Sequence, residues 1–360
     1  MSIAIKLLSR SFKNILITGG SGFIGGALVR YFLENTNCNI FNLDKLTYAS
    51  NPESINQFID SNKSIDRNRY KFFKADLNHF SSTKEIILLS EPDIIMHLAA
   101  ESHVDRSIKN PSSFISNNIC GTINLLESAT EYWKTLSYEK SSNFLFHYIS
   151  TDEVFGSLDE EGFFSEVSKY NPMSPYSASK ASCDHLVRSW LNTYGLPSII
   201  TNCSNNFGKW QIPEKLIPLT IYKCLNHQNI PIYGNGLNVR DWIYIDDHIE
   251  ALLICVRNAK AGETFCVGGN NQLSNINVVK SICEDLDQKI PWDKSHNSLI
   301  NYVKDRAGHD FRYAIDNAKI SKDLHWKPRY KFKNALSSTI DWYLLNQNWL
   351  NESFLRINKF

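Results

Sequence analysis

Short apolar runs alternate with amphipathic stretches through the first two hundred residues of this chain. A run at Asn14–Thr18 leads into a glycine-rich turn, after which Leu28, Val29, Phe32 and Leu33 recur at helical spacing. Further strand-like runs lie at 39–43, Tyr70–Lys74, 93–98, 144–149 and 198–202, and apolar positions at helical spacing mark 119–133 as a packed helix. Strands alternating with helices predict an α/β fold with a doubly wound parallel sheet. Beyond residue 203 the alternation weakens. Residues 231–236 read as a turn, 240–245 as a short strand, 246–256 as a helix, and 262–269 as holding another strand. Residues 305–310 read as a loop before a final helical region.

The turn after the first strand carries Gly19, Gly22 and Gly25, and Asp44 closes the second strand about 20 residues on. Strand, glycine turn, helix and late acid together form the Rossmann-type fingerprint. The glycines let the backbone approach a pyrophosphate at the helix N-terminus, where free N–H groups point at the anion. A carboxylate at 44 binds ribose hydroxyls and repels a 2′-phosphate, so NAD is expected over NADP. Asp76, just past the third strand, is positioned to meet the adenine edge, and Ala99 and Ala100 leave room for a cofactor to pass. His97, within an apolar run, reads as structural. The predicted division is an NAD-binding Rossmann domain at 13–202, rejoined by segments near 238–258 and 305–317. A smaller, discontinuous substrate domain is formed mainly by 203–350.

Composition narrows the function classes. The 360 residues carry a net charge of +1 with the charges well mixed, which argues against a nucleic-acid or anionic-membrane partner. No apolar run approaches the roughly 18 residues that span a bilayer. The eight cysteines are scattered without a Cys-x-x-Cys, as expected for reduced thiols in a cytoplasmic protein with no metal site. Lys6, Arg10 and Lys13 precede no apolar core or cleavage site, so the first dozen residues read as a short extension and not a targeting peptide.

The chemistry gathers between 150 and 180. The run at 144–149 delivers Ser150, Thr151, Asp152 and Glu153 to a strand's carboxyl end, where open α/β sheets place ligands. Tyr176 and Lys180 follow at i and i+4, on one helix face. An ammonium beside a phenol lowers the phenol pKa from about 10 toward neutrality, making Tyr176 a base for an alcohol proton. Each motif alone is commonplace, since Tyr-x-x-x-Lys arises by chance in helices and adjacent acids usually mark a solvated turn. Their convergence on one strand end suggests more than one proton transfer on one substrate. Lys215, Arg240 and Arg306, each an ordinary surface charge if taken singly, fall in loops that could converge on a diphosphate.

With these motifs in place, the sequence resembles the extended short-chain dehydrogenase/reductase superfamily and, within it, the dTDP-glucose 4,6-dehydratase family. The likeness runs from about residue 13 to about residue 343 and is most specific at 44–49, 100–107, 150–154, 174–180, 201–206, 213–218, 240–242 and 305–310. It implies that Tyr176, helped by Thr151 and Lys180, takes the proton of the glucose 4-hydroxyl as C4 is oxidised. Glu153 then removes the C5 proton while Asp152 protonates the departing 6-hydroxyl, and hydride returns to C6. The resemblance places NAD contacts on Gly19, Gly22, Phe23, Ile24, Gly25, Asp44, Lys45, Thr47, Asp76, Leu77, Leu98, Ala100, Ser102, Tyr176, Lys180 and Asn206. It places nucleotide-sugar contacts on Ser102, Thr151, Asn205, Lys215, Leu216, Pro231, Tyr233, Arg240, Asn275, Arg306 and His309. It implies a homodimer formed through the helices at 119–133 and 176–194. Departures are Phe155 and Phe207 where the family usually has Tyr, Gly26 where Ser is more common, and a short 156–175 segment. UDP-glucose or another nucleotide-glucose stays open as substrate. A nucleotide-sugar 4-epimerase would not need the two acids, nor would a silent NAD-binding sensor need all five reactive groups together.

Overall fold

In the computed structural model, which describes residues 10–359, a parallel sheet carries the glycine turn, Asp44 and the segment 151–153. Its first six strands are β1 (Asn14–Thr18), β2 (Asn39–Asp44), β3 (Tyr70–Lys74), β4 (Ile94–His97), β5 (Leu145–Thr151) and β6 (Ser198–Cys203). Later in the chain come β7 (Asn205–Phe207), β8 (Ile230–Tyr233), β9 (Val239–Tyr244), β10 (Thr264–Val267), β11 (Gln272–Ser274) and β12 (Ile300–Val303). The main sheet runs β3-β2-β1-β4-β5-β6-β10, parallel throughout. The doubly wound Rossmann-type architecture expected from the sequence is therefore present. Strand order reverses between β1 and β4, the switch point at which such sheets open a crevice. Residues 1–9, including Lys6 of the amino-terminal extension, lie outside the described residues.

Both faces of the sheet are covered, which is why its central strands read as unbroken apolar runs. Ile15 and Ile17 of β1 join a buried cluster with Leu28, Phe32 and Ile249, from the helices Phe23–Asn35 and Ile245–Asn258. Leu16, pointing the other way, packs with Leu125, Leu126 and Cys183, from the helices Gly121–Thr135 and Pro175–Tyr194. All eight cysteines are free thiols, and all but Cys120 are buried.

The helix bearing Tyr176 and Lys180 is firmly started. Ser174 accepts from the Ser177 amide at 3.0 Å, and Ser177 returns a bond from the Ser174 amide at 2.9 Å. This reciprocal cap satisfies two otherwise orphaned donors, and Pro175 occupies the first turn, where its missing N–H is harmless. The helix stops at Gly195, whose φ of 79° suits glycine.

Past β6 the sequence reading needs correction. Residues 230–233 are a strand, β8, paired in parallel with β12, and only Gly234 to Gly236 turn, with φ of 56° and 72° at the two glycines. Pro231 obscured it, because proline is tolerated only at sheet edges and this two-stranded ribbon is all edge. β10 lies within 203–350 yet forms the seventh strand of the main sheet, so the segments that rejoin that layer include Thr264–Val267. The final helical region comprises Ala318–Leu324, Phe332–Leu345 and Gln347–Ile357. No helix of the described residues is long and apolar enough to cross a membrane.

Candidate active site

A cavity of about 990 Å³ opens at the carboxyl ends of the central strands. Every residue singled out from the sequence as catalytic, cofactor-binding or nucleotide-sugar-binding lines it, from Gly19 at one end to Arg306 and His309 at the other. The resemblance and the fold thus converge on one space, and none of the expected residues is left outside it.

At the glycine turn, Gly19 has φ of 72°, and the Gly22 amide donates to its carbonyl at 3.0 Å. A Cβ on Gly25 would collide with that carbonyl and lie 2.8 Å from the Gly20 Cα, so helix and turn approach too closely for any side chain there. Asp44 ends β2 with its carboxylate buried. It accepts from the Ser21 amide at 3.0 Å, the Leu46 amide at 2.8 Å and the Ser50 hydroxyl at 3.0 Å. A carboxylate has about four acceptor sites, so one remains free toward the cavity. Burial raises the Asp44 pKa, and those three hydrogen bonds together with Lys45 oppose the rise. Lys45 donates to Asn117 at 2.7 Å and lies 3.8 Å from Asp76. A cradle without side chains followed by an anchored carboxylate fits a dinucleotide: backbone amides for the pyrophosphate, Asp44 for a ribose.

Farther along, β5 ends in Thr151, and a single 3₁₀ turn carries Asp152 and Glu153. The Thr151 hydroxyl donates to Asp152 at 3.2 Å and accepts from the Glu153 amide at 3.4 Å. The two carboxyls are adjacent in sequence but not in environment. Burial, then Glu153 and Asp241, push Asp152 well above the usual carboxylate range. Burial also raises Glu153, but Lys215, Arg240 and Arg306 all pull it back. Both carboxyls are thus raised, Asp152 the more strongly, so the two neighbours differ in how readily they ionise.

The phenol of Tyr176 departs from the sequence expectation. Burial, then Glu153, Cys203 and Asp152, raise its pKa well above 10, opposed by a hydrogen bond to Thr151. Lys180 turns its ammonium to the Ile149 carbonyl at 2.8 Å and lies 4.2 Å from the Tyr148 ring. The i, i+4 spacing was legible, whereas desolvation and the two flanking acids were not. Burial in turn lowers Lys180.

The three expected cations reach the cavity by different anchors. Arg240 donates to the carbonyls of Val239 at 2.8 Å and Asp310 at 2.9 Å and lies over Tyr313. Arg306 grips Asp105 bidentately, at 2.6 and 2.9 Å. Lys215 donates to the Ser102 carbonyl at 3.1 Å. His309 pairs with Asp305 at 2.7 Å. The Asn206 side-chain oxygen accepts from His248 Nδ1 at 2.7 Å, and Leu216 and Asn275 open their helices. His97 is a buried structural histidine between Thr18 and Thr122, at 2.7 and 2.9 Å, with its pKa lowered by burial to about 3.

Sequence reasoning missed Asp105, Arg106, Glu214, Asp310 and Tyr313, which also line the cavity. It also missed Phe354, Ile357 and Asn358 at the end of the last helix. The apolar spacing Leu350, Phe354, Ile357 was the available signal for that helix; Asp105 lay within the distinctive 100–107 stretch, but its pairing had no local signal because Arg306 lies far along the chain.

The family model described as GDP-mannose 4,6 dehydratase matches residues 16–339. A dTDP-glucose 4,6-dehydratase of Shigella flexneri is 52% identical over 345 residues, covering 93% of this chain and 94% of that protein. Among solved structures, a dTDP-glucose 4,6-dehydratase from Streptomyces venezuelae, with NAD bound, is 36% identical with a TM-score of 0.84, covering 94% of this chain and 99% of its own. Another from Bacillus anthracis, in complex with NAD, is 36% identical with a TM-score of 0.83, covering 95% and 99%.

Proposed function

Because this chain belongs to the GDP-mannose 4,6 dehydratase family and, within it, to the dTDP-glucose 4,6-dehydratases, we propose that it converts dTDP-glucose to dTDP-4-keto-6-deoxyglucose and water with NAD as bound cofactor. The observation that carries this reading is the Asp152–Glu153 pair, with diverging proton affinities, in the same cavity as Thr151, Tyr176 and Lys180. Oxidation or epimerisation alone needs one base; loss of water across C5 and C6 needs an acid and a base together.

The residue roles follow from that need. Tyr176 accepts the proton of the 4-hydroxyl, with Thr151 on its oxygen and Lys180 fixing helix to strand. Bound NAD supplies a hydride acceptor and donor and, while oxidised, a positive charge that favours the phenolate. The glycine turn, Asp44, Lys45, Thr47 and Asp76 hold the dinucleotide, and Leu98, Ala100, Ser102 and Asn206 line its path toward Tyr176. A ketone at C4 acidifies the C5 proton. Glu153, kept the more ionisable of the pair by three cations, removes it. Asp152, kept protonated by burial and by its neighbour, gives its proton to the leaving 6-hydroxyl. Glu153 then returns a proton to C5. Lys215, Arg240 and Arg306 bind the diphosphate, with Pro231, Tyr233, Asn275 and His309 toward the nucleoside.

The same reading divides the chain into an NAD-binding domain, 13–202 with later returning segments, and a substrate domain drawn mainly from 203–350. It makes the protein a cytoplasmic homodimer, with the helices at 119–133 and 176–194 as the contact surface. Incubation with dTDP-glucose, and in parallel UDP-glucose, followed by alkali tests the reaction. The 4-keto-6-deoxy product develops an ultraviolet absorbance that a 4-epimer does not. Absorbance with UDP-glucose alone would move the substrate to the other base, and absorbance with neither would remove the reading.

A further inference from the structure

The helix that carries Tyr176 and Lys180 carries a third ionisable group one turn on, Asp184, which has no access to solvent. Its Oδ2 accepts from the Tyr170 hydroxyl at 2.8 Å and from the Asn202 side-chain amide at 3.0 Å. The same Asn202 nitrogen donates to the Thr151 carbonyl at 3.1 Å. On the far side, Arg188 donates to the Tyr170 hydroxyl at 2.8 Å. The chain of contacts therefore runs Arg188, Tyr170, Asp184, Asn202, Thr151, and ends at the last residue of β5. Both groups on Oδ2 are donors, so that oxygen acts as an acceptor; burial raises the Asp184 pKa, and bonds from Asn202, Ser150 and Tyr170, with the nearby Arg188, oppose the rise.

We propose that Asp184 is a positioning residue for the reaction: through Asn202 it fixes the strand end that presents Thr151 and the two acids. The inference rests on the dehydratase reading above and deepens it. Two features make the link more than packing. First, Lys180 binds the Ile149 carbonyl and Asn202 binds the Thr151 carbonyl, so alternate carbonyls of one strand end are tied to one helix face. If that face shifts, the Lys180 bond is lost and the Asn202 side chain loses its Asp184 anchor. Second, the groups facing Asp184 are set out asymmetrically. Lys180, Cys183 and Arg188 lie on its own helix, Tyr170 comes from the loop before it, and Ser150 and Tyr148 come from β5. Cys266 faces it from β10. Of the cations, Arg188 is already bound to Tyr170, while Lys180 is the one beside the reacting groups. A carboxylate there offsets part of the desolvation that disfavours a buried ammonium.

The test uses full-length protein loaded with NAD and compares Asp184→Asn, Tyr170→Phe and the double variant, by kcat, KM, cofactor content and the pH profile of kcat. Asp184→Asn is expected to lower kcat by about ten- to hundredfold, the scale of a lost hydrogen bond to a charged group. KM and cofactor content should stay near wild type. With the negative charge gone, Lys180 loses its proton more readily, so the alkaline fall in kcat moves to lower pH. Tyr170→Phe removes one donor and leaves the charge, so it lowers kcat less and leaves the alkaline limb in place. The double variant should be no worse than Asp184→Asn alone, because both act through one chain of contacts. Unchanged kcat and pH profile in Asp184→Asn, or a loss that only tracks lost cofactor or lost folded protein, would overturn the inference. Should Asp184→Asn fail to fold, Tyr170→Phe decides it: wild-type kcat there overturns it. A wild-type protein inert toward nucleotide-glucose removes the dehydratase reading itself, a result distinct from an active wild type with an indifferent Asp184→Asn.

Discussion

The Lys180 ammonium donates to the Ile149 carbonyl oxygen at 2.8 Å, tying the helix that carries Tyr176 to the strand that carries Thr151. The lysine thus acts on geometry as well as on charge. Lys180→Met removes both and should lower turnover by about 10²–10⁴-fold, the usual contribution of an acid–base group. Lys180→Arg keeps the charge, but its planar fork cannot reproduce a single donor aimed at one carbonyl, so it should recover little. Steady-state turnover of both variants, corrected for bound cofactor, checks this; near-wild-type activity in the Met variant would contradict it.

Much of this was legible in the sequence because the main sheet obeys simple patterning. β1, β3 and the glycine turn stand where apolar runs and spacing put them, and Asp44 closes β2 as expected. What escaped has physical causes. β8 contains Pro231 and pairs only with β12, so neither strand has the long apolar signature of a buried one. The Arg306–Asp105 pair joins a loop to the first turn of the helix Val104–Lys109, far apart in sequence, and no local pattern announces it. The direction of the Tyr176 pKa depends on burial beside Glu153 and Asp152, which spacing along a helix cannot report.

Asp152 should weaken the fold that it serves. Its pKa is raised in the folded state, so between the unfolded and folded values the native protein binds more protons, and stability falls as pH rises through that window. Asp152→Asn removes the burden of a buried ionisable group. Its melting temperature should exceed wild type at neutral pH, with the gain shrinking below the ordinary carboxylate range, while turnover is lost. Thermal melts at both pH values check this; an Asn variant less stable at neutral pH contradicts it.

The pH profile of kcat should be bell-shaped, since Glu153 must be ionised and Asp152 protonated. Burial raises Glu153, so the acidic limb should lie above its ordinary value of 4.5. The alkaline limb belongs to the coupled set of Asp152 and Lys180, not to one group. An acidic limb at or below 4.5 would remove Glu153 from the role of base.

The glycine turn makes a sharper demand. A methyl at residue 25 would meet the Gly19 carbonyl and the Gly20 Cα, so Gly25→Ala must open the turn that receives the pyrophosphate. Wild-type protein should retain NAD through purification, and Gly25→Ala should not. Assay of nicotinamide released on denaturation measures both, and full retention by the variant would place the cofactor elsewhere.

The separation of oxidation from elimination is tested most directly by rapid mixing of three variants with dTDP-glucose while the reduced-nicotinamide absorbance is followed. Tyr176→Phe lacks the base for the first step and should show neither reduced nicotinamide nor product. Asp152→Asn and Glu153→Gln keep that base but not the pair that expels water. They should accumulate enzyme-bound reduced cofactor while turnover falls by about 10²–10⁴-fold. Wild-type turnover in Glu153→Gln, or the same silence in all three variants, would contradict the assignment of Tyr176 to oxidation and of Asp152 and Glu153 to loss of water.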